Sequence, residues 1–487
     1  MSHVIGVDIG TSGIKIGVMD ASANLVLINK QSYSLLYPKN GWIEIDVNKV
    51  WNKTKQLIDE AIQKIKEIGG EVDAISLSTF CNSSVLMDKD GNSLSTGIMY
   101  LDQRSSEQAK HVQRLLGENL LYKITRNRIE PGMYTVTSLL WIKETFPDLF
   151  SQTYKWGNLS TFILNKLTGN FVMDWTQASY SGVFDVLNYK WSSDFCGKLG
   201  VDESILPKAV DPFECVGKFM GIPVIAGAAD TASSSLSLGL KPNDMFESVG
   251  TSNVLTVCTK NPDQLDTRFL NRCFVWKNQW LSHGAMSTPG ASVKWFYRTF
   301  LNEAGGESDI LEHLPKQSEI GANGVFFLPY MQGERSPIWD PNARGVFAGM
   351  HLNTSKADLL RAVLEGSAFG LRQISEIIEE NFQLNFNRIR SIGGGSKNKV
   401  WAQIKANVLK KEIEIQEISE TGVYGSCLIA GKTIGYFSNL QDTTNHIKNK
   451  TIYTIQPNPD TFLLYDEQYR KFSKLYPALK EFFQVVG

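Results

Sequence analysis

Little in this chain suits metal or thiol chemistry. Its six cysteines, Cys81, Cys196, Cys215, Cys258, Cys273 and Cys427, form no CxxC pair, and its six histidines form no HxxxH or HxH spacing. Neither a structural zinc site nor a Cys/His nucleophile is expected, and so few cysteines in 487 residues fit a reducing compartment. No sign of charge dominates either. With 49 basic against 50 acidic residues, the chain has no long-range field to draw in nucleic acid or an anionic membrane. Apolar runs such as Ile222–Ala229 are far too short to span a bilayer, and Met1–Gly10 lacks the basic flank and long apolar stretch of a secretory signal. A soluble, cytoplasmic protein with no nucleic-acid or membrane partner is expected. Low-complexity tracts are absent, so little disorder is expected.

What is present reads as a large α/β protein of two or three domains. Val4–Val7 is an apolar strand ending in Asp8-Ile9-Gly10-Thr11-Ser12-Gly13; Ile14–Asp20 and Leu25–Tyr33 complete a three-strand meander. Asp46 is placed to cap a helix whose apolar residues recur at helical spacing from Val47 to Ile68, and Gly69-Gly70 stops it before the strand Ala74–Ser78. Strands on both sides of a crossover helix imply a mixed sheet covered by helices. The opening then recurs. Phe246–Leu255, FESVGTSNVL, repeats a strand, a Gly-Thr-Ser turn and a second strand about half the chain later. Two duplicated domains are expected, 1–242 and 243–487, parting near Lys241-Pro242-Asn243, with the two turns facing one cleft. The second half should add helices near Ala291–Leu301, Ala357–Glu380 and Asn398–Leu409, strands at Val325–Leu328 and Ile389–Ile392, and one last amphipathic helix over Asp466–Phe483.

The chain is organised around Ile225–Gly239, IAGAADTASSSLSLG, where a buried strand opens into a small-residue turn carrying one carboxylate, Asp230. Asp230 reads as a general base; equally, it reads as the cap of a helix beginning at Thr231. Gly-Thr-Ser turns let backbone N–H groups approach phosphate oxygens, and two of them, at Gly10-Thr11-Ser12 and Gly250-Thr251-Ser252, point to a nucleotide cleft. Asp8 offers a carboxylate suited to Mg²⁺ through water. Lys15 either reaches the phosphates or faces outward from its strand. Ser391–Leu409 is a strand, a triple-Gly turn that permits a planar ring to pack flat on backbone, and a helix; without the third spaced Gly it is no dinucleotide fingerprint, which argues against an NAD enzyme. The P-loop-like Gly425–Thr433 has one residue too many between its glycines and sits in a helical stretch. Tyr100–Arg104 presents Asp102 and Arg104 at a strand end, either to bind hydroxyls or as a surface ion pair.

Together, Asp8–Lys15, Ala226–Asp230, Glu247–Ser252, Ile392–Lys405 and above all Gly345–Glu365, GVFAGMHLNTSKADLLRAVLE, resemble the FGGY family of carbohydrate kinases. Gly333–Arg344, GERSPIWDPNAR, looks most like that family's gluconate kinase branch, with xylulose kinases next. The resemblance implies two ribonuclease-H-like (actin-like ATPase) domains with mixed sheets flanked by helices, the first binding sugar and the second ATP. It implies ATP and Mg²⁺ as cofactors and a small-molecule sugar or sugar acid as partner, most expectedly D-gluconate, with a homodimer one assembly open to it. Carried over, Asp230 falls on the catalytic base and, with Asp8, on the Mg²⁺ site. Gly10, Thr11, Ser12 and Lys15 fall on the first phosphate loop, Gly250 and Thr251 on the second, and Gly394, Gly395 and Asn398 on the adenosine site. Cys81, Asn82, Asp102 and Arg104 fall on the sugar side. Two departures stand out: Ser138 where the family signature has Lys, and Asn82 at a sugar-contacting position that is often His. An actin-like ATPase that only drives conformational change is the rival class, and the Gly345–Glu365 signature argues against it.

Overall fold

The computed structural model describes residues 2–301, 307–416, 420–440, 444 and 451–486. It divides into two compact units, Met1–Leu240 with Asn271–Trp280 and Glu420–Lys448, and Lys241–Leu270 with Leu281–Ser419 and Asn449–Gly487. The chain leaves the first unit beside the Lys241-Pro242-Asn243 turn, and two later segments return to it.

In the first unit the meander forms as β1 (Ser2–Gly10), β2 (Gly13–Asp20) and β3 (Leu25–Ser32). Helix α1 (Val47–Glu67) crosses over to β4 (Glu71–Thr79), which lies parallel to β1. Its cap is the expected one: Asp46 Oδ1 accepts the Lys49 N–H at 2.9 Å. Val50, Leu57, Ile58, Ala61, Ile62 and Ile65 form its buried stripe, packed into one core with Val7, Ile16 and Leu77 of the sheet. Helix α2 (Leu159–Thr168) and the single turn α3 (Trp175–Ala178) follow, then β5 (Cys215–Phe219) and β6 (Ile222–Ala229), which opens into α4 (Asp230–Ser237). Across the sheet the order is β5-β6-β4-β1-β2-β3. Central β1 is buried along nearly all its length because helices cover both faces, whereas edge strand β3 alternates partly buried and exposed residues. One cover is the returning helix Thr421–Thr433, whose Val423, Ser426 and Cys427 pack where β1 and β2 offer only Gly6 and Gly17.

The second unit repeats the plan. β7 (Met245–Val249) and β8 (Asn253–Thr259) form the hairpin, β9 (Trp280–Met286) extends it, and after α5 (Pro289–Phe300) and the long α6 (Lys356–Phe382) the chain reaches β10 (Arg388–Ile392), parallel to β7. Then come α7 (Lys399–Leu409), β11 (Glu412–Gln416) and β12 (Thr451–Ile455), giving the order β9-β8-β7-β10-β11-β12 for six strands of a seven-stranded sheet. A hairpin, a helical crossover and parallel strands beside it make each unit ribonuclease-H-like. The final helix departs from expectation. It is two, α8 (Phe462–Phe472) and α9 (Leu475–Val486), because Pro477 has no N–H to give the Ser473 carbonyl four residues back.

Candidate active site

Asp8 stands near the end of β1, where Ser78 of the neighbouring β4 donates its hydroxyl to Oδ1 at 2.8 Å. Burial pushes its carboxyl up to about 6; the Ser78 hydrogen bond opposes the shift and the charge of Asp230 adds to it. Gly422, second residue of helix Thr421–Thr433, comes so close that a β-carbon there would lie 2.4 Å from Asp8 Oδ1. The positive end of that helix therefore borders the carboxylate. Beyond Asp8, Gly10 pairs with Gly13 across the two-residue loop Thr11-Ser12. Tyr33 donates its hydroxyl to the Gly10 carbonyl, and Thr11 Oγ1 lies 3.3 Å from the Tyr100 hydroxyl. Lys15 sits opposite Asp8 in the ladder, yet its ammonium pairs with Glu420 at 2.6 Å.

Asp230 owes its place to a bulge. Gly227, with φ +77°, marks a register shift between Ile225 and Ala228, and a β-carbon there would lie 1.9 Å from the Leu77 carbonyl oxygen. The strand is thus re-aimed just before it ends, and Asp230 becomes the first residue of α4. The cap position is Ala229, so Asp230 is not the helix cap; its Oδ1 accepts from Thr231 N at 2.6 Å and Thr231 Oγ1 at 3.0 Å.

Around the end of β4, Cys81 and Asn82 are buried. Asn82 holds φ +68°, uncommon for a residue with a side chain, and its Nδ2 donates to the Met133 carbonyl at 2.6 Å while its buried Oδ1 has no protein partner. Cys81 Sγ accepts from Arg272 Nη1 at 3.2 Å, and burial pushes its thiol up to about 12, so it is a neutral wall. The Arg272 guanidinium lies 4.4 Å above the Tyr180 ring, its Nε buried without a partner, within electrostatic reach of Asp230. The sequence reading missed Arg272. Its signal was a lone arginine inside the apolar stretch Phe269–Trp276, on a segment that rejoins the first unit.

Asp102 and Arg104 form a closed clamp. Arg104 donates Nε to Asp102 Oδ1 at 2.9 Å and Nη2 to Oδ2 at 2.7 Å, pairs with Glu44 at 2.8 Å, and lies 3.8 Å over the Trp42 ring. Asp102 Oδ2 also accepts the Ile43 N–H at 2.6 Å. Of the two readings for this motif the ion pair is the one formed, and it is buried rather than at the surface: the arginine side chain is 4% exposed and the aspartate not at all.

In the second unit, Gly250 N donates to the Ser252 carbonyl at 2.9 Å, and the Thr251 carbonyl accepts the Ala291 N–H at the start of α5 at 3.0 Å. Beneath this turn lies a buried polar knot centred on Glu247. It accepts from Lys405 Nζ at 2.7 and 2.9 Å, from Asn253 Nδ2 at 2.8 Å and from Ser391 Oγ at 2.5 Å. Those partners tie together the turn, the strand that leads to the triple-Gly turn, and α7. Gly393 takes φ +95°, and around Gly394 a β-carbon would meet open space, so the backbone is accessible there. Asn398 caps α7 through Trp401 N at 2.8 Å. Among the described residues no group of three or more His, Cys, Asp or Glu could hold a metal ion. Lys432 of the P-loop-like stretch lies within helix Thr421–Thr433 and donates to the Ser438 carbonyl at 2.9 Å, so no phosphate cradle exists there.

Residues 3–237 match the N-terminal domain of the FGGY family of carbohydrate kinases, and residues 245–434 match its C-terminal domain. The chain belongs to the FGGY family. It is an ATP-dependent carbohydrate kinase. Among curated FGGY-type relatives, a xylulose kinase of Staphylococcus xylosus is 29% identical over 479 residues, covering 95% of this chain and 98% of that one. Two solved structures from Lactobacillus acidophilus, each 24% identical with TM-score 0.91, share the fold: a ligand-bound xylulose kinase covering 100% of both chains and a gluconate kinase covering 98% of both. The FGGY departure at Ser138 is a buried position, 1% exposed, in the helix Thr135–Thr145, where a lysine ammonium would need a partner of its own. Among the described residues no helix is long and apolar enough to cross a membrane.

Proposed function

We propose that this kinase phosphorylates a hydroxyl of a neutral open-chain ketose, with xylulose the leading acceptor. The observation that carries this reading is the full-length likeness to curated relatives named xylulose kinase. Arg104 already faces Asp102 and Glu44, which closes that side chain to a gluconate carboxylate, whereas Arg272 serves a hydroxyl or a carboxylate alike. Gluconate, first in the sequence reading, rests on Gly333–Arg344 and stays as the second reading.

In this scheme Asp230 takes the proton of the acceptor hydroxyl as it attacks the γ-phosphate, while Cys81, Asn82 and Arg272 hold the acceptor and the Asp102–Arg104 clamp supports their wall. Gly10, Thr11 and Ser12 in one unit, and Thr251 in the other, offer N–H and hydroxyl donors to phosphate oxygens; Gly250, whose N–H is bonded to Ser252, lets them approach by having no side chain, and Gly394 offers open backbone to adenosine beside Gly395 and Asn398. Phosphoryl transfer asks mainly for such positioning and charge stabilisation. Lys15, paired with Glu420, would reach phosphate only by leaving that partner. Two carboxylates suit Mg²⁺, which keeps most of its water and phosphate ligands: Asp8 and Asp230 would hold it, and it would neutralise charge on the transferred group.

The test is ADP release with xylulose and with gluconate, compared as kcat/KM. A higher value for xylulose is expected. A preference for gluconate would overturn the ketose reading and leave the kinase chemistry standing.

A further inference from the structure

The ends of β4 and β6, which lead to Cys81–Asn82 and to Asp230, are both held by the single turn α3. Its cap, Asp174, is fully buried, and Oδ1 accepts the Thr176 N–H at 2.9 Å and the Thr176 hydroxyl at 2.5 Å. The Thr176 oxygen in turn accepts the N–H of Ala229, the residue before Asp230, at 2.8 Å. One residue on, Gln177 Nε2 donates to Thr79 O at 3.1 Å and Thr79 Oγ1 at 2.7 Å, and its Oε1 accepts from Asn158 Nδ2 at 2.8 Å. Thr176 and Gln177 are 0% and 2% exposed, so water cannot substitute for these bonds.

The direction of the chain of bonds is fixed. A hydroxyl has one proton to give; Thr176 gives it to Asp174, which leaves only lone pairs for Ala229. Burial lifts the Asp174 carboxyl to about 7, and in either protonation state Oδ1 can still accept. The Ala229 N–H needs this partner, since the Gly227 bulge has already disturbed the ladder beside it.

We infer that Thr176 is a positioning residue for the reaction: through the Ala229 N–H its hydroxyl sets where the strand ends and hence where the Asp230 carboxylate stands. A displacement of about an ångström at a reacting group is enough to lower turnover about 100-fold. The inference rests on Asp230 being the base, and the experiment separates the two.

The full chain is prepared as Thr176→Val, Thr176→Ala, Thr176→Ser and Asp230→Asn, and kcat and KM are measured for ATP and for whichever of xylulose and gluconate the wild type turns over faster. Amide exchange at Ala229 is followed in parallel. Thr176→Val is expected to lower kcat about 10–100-fold, to leave the KM for ATP within about threefold and to speed exchange at Ala229; Thr176→Ser is expected to restore kcat. Wild-type kcat in a folded Val or Ala variant overturns the inference, as does a Ser variant as slow as Val. So does loss of folding in both Val and Ala while Ser is normal, which would assign the hydroxyl to stability alone. Asp230→Asn is expected to lose about 10²–10⁴-fold in turnover. If it does not, the base reading falls, and the inference with it; if it does while Thr176→Val stays fast, only the positioning role falls.

Discussion

Replacing Lys405 by Met probes the buried knot under the second Gly-Thr-Ser turn. The substitution keeps most of the side-chain volume and removes one charge, leaving Glu247 with Asn253 and Ser391 as its only named donors. The ammonium and carboxylate lie 2.7 and 2.9 Å apart, with side-chain exposures of 1% and 0%. At an effective dielectric of about 20, that separation corresponds to roughly 6 kcal/mol of attraction before the cost of drying both groups. Breaking a buried pair on one side costs about 3–5 kcal/mol, because the remaining charge stays buried and uncompensated. Urea denaturation should therefore show Lys405→Met destabilised by about 3–5 kcal/mol. The double variant Glu247→Gln, Lys405→Met should recover part of the loss, since no bare charge remains. The knot also fixes the turn and the strand before the triple-Gly turn, so the KM for ATP should rise in the single variant more than the KM for the sugar. A single variant within 1 kcal/mol of wild type, or a double variant no better than the single, would refute the reasoning.

Two further outcomes are expected. Glu334 Oε1 accepts backbone N–H groups from Ser287 at 2.6 Å and Arg335 at 2.8 Å, and burial lifts its carboxyl from 4.5 to about 7 against the pull of those bonds. The folded protein thus holds that proton more tightly than the unfolded chain, so its contribution to stability falls as pH rises from about 4.5 through about 7, by up to about 3 kcal/mol. Glu334→Gln, which cannot ionise, should gain stability relative to wild type between pH 5 and pH 8; an equal difference at both pH values in denaturant titrations would contradict it. Arg272→Met should raise the KM for the sugar about 10–100-fold, as loss of a charge-assisted bond would, with little change in the KM for ATP; a sugar KM within about threefold of wild type would remove Arg272 from the acceptor wall.

Much of the architecture was legible because it is written in local periodicity. The meander, the capped helix from Val47 and the repeated Gly-Thr-Ser turn each follow from a few adjacent residues, and the strand order in both units agrees with the duplication. The last helix was misread because its apolar stripe runs on across Ser473, while the missing N–H of Pro477 breaks the ladder without disturbing the pattern. Arg272 and Thr176 were passed over for another reason. Each matters through a partner distant in sequence, Cys81 for one and Ala229 for the other, and no spacing rule connects them. Gly422 was passed over just ahead of the stretch Gly425–Thr433 that was dismissed as a false P-loop; what distinguishes it is the Asp8 carboxylate lying against it.

The first unit is finished only by Asn271–Trp280 and Glu420–Lys448. During synthesis, the strand faces at Gly6 and Gly17 therefore wait for most of the chain to emerge before helix Thr421–Thr433 can cover them. Exposed apolar strands in an incomplete domain invite aggregation and chaperone capture. A fragment made by stopping after Leu240 contains every residue proposed for the acceptor side except Arg272, yet would carry one face of β1 and β2 uncovered. The nascent protein thus passes through a long interval in which the first unit is translated but lacks one cover of its sheet, and a frameshift or late truncation would leave that unit incomplete.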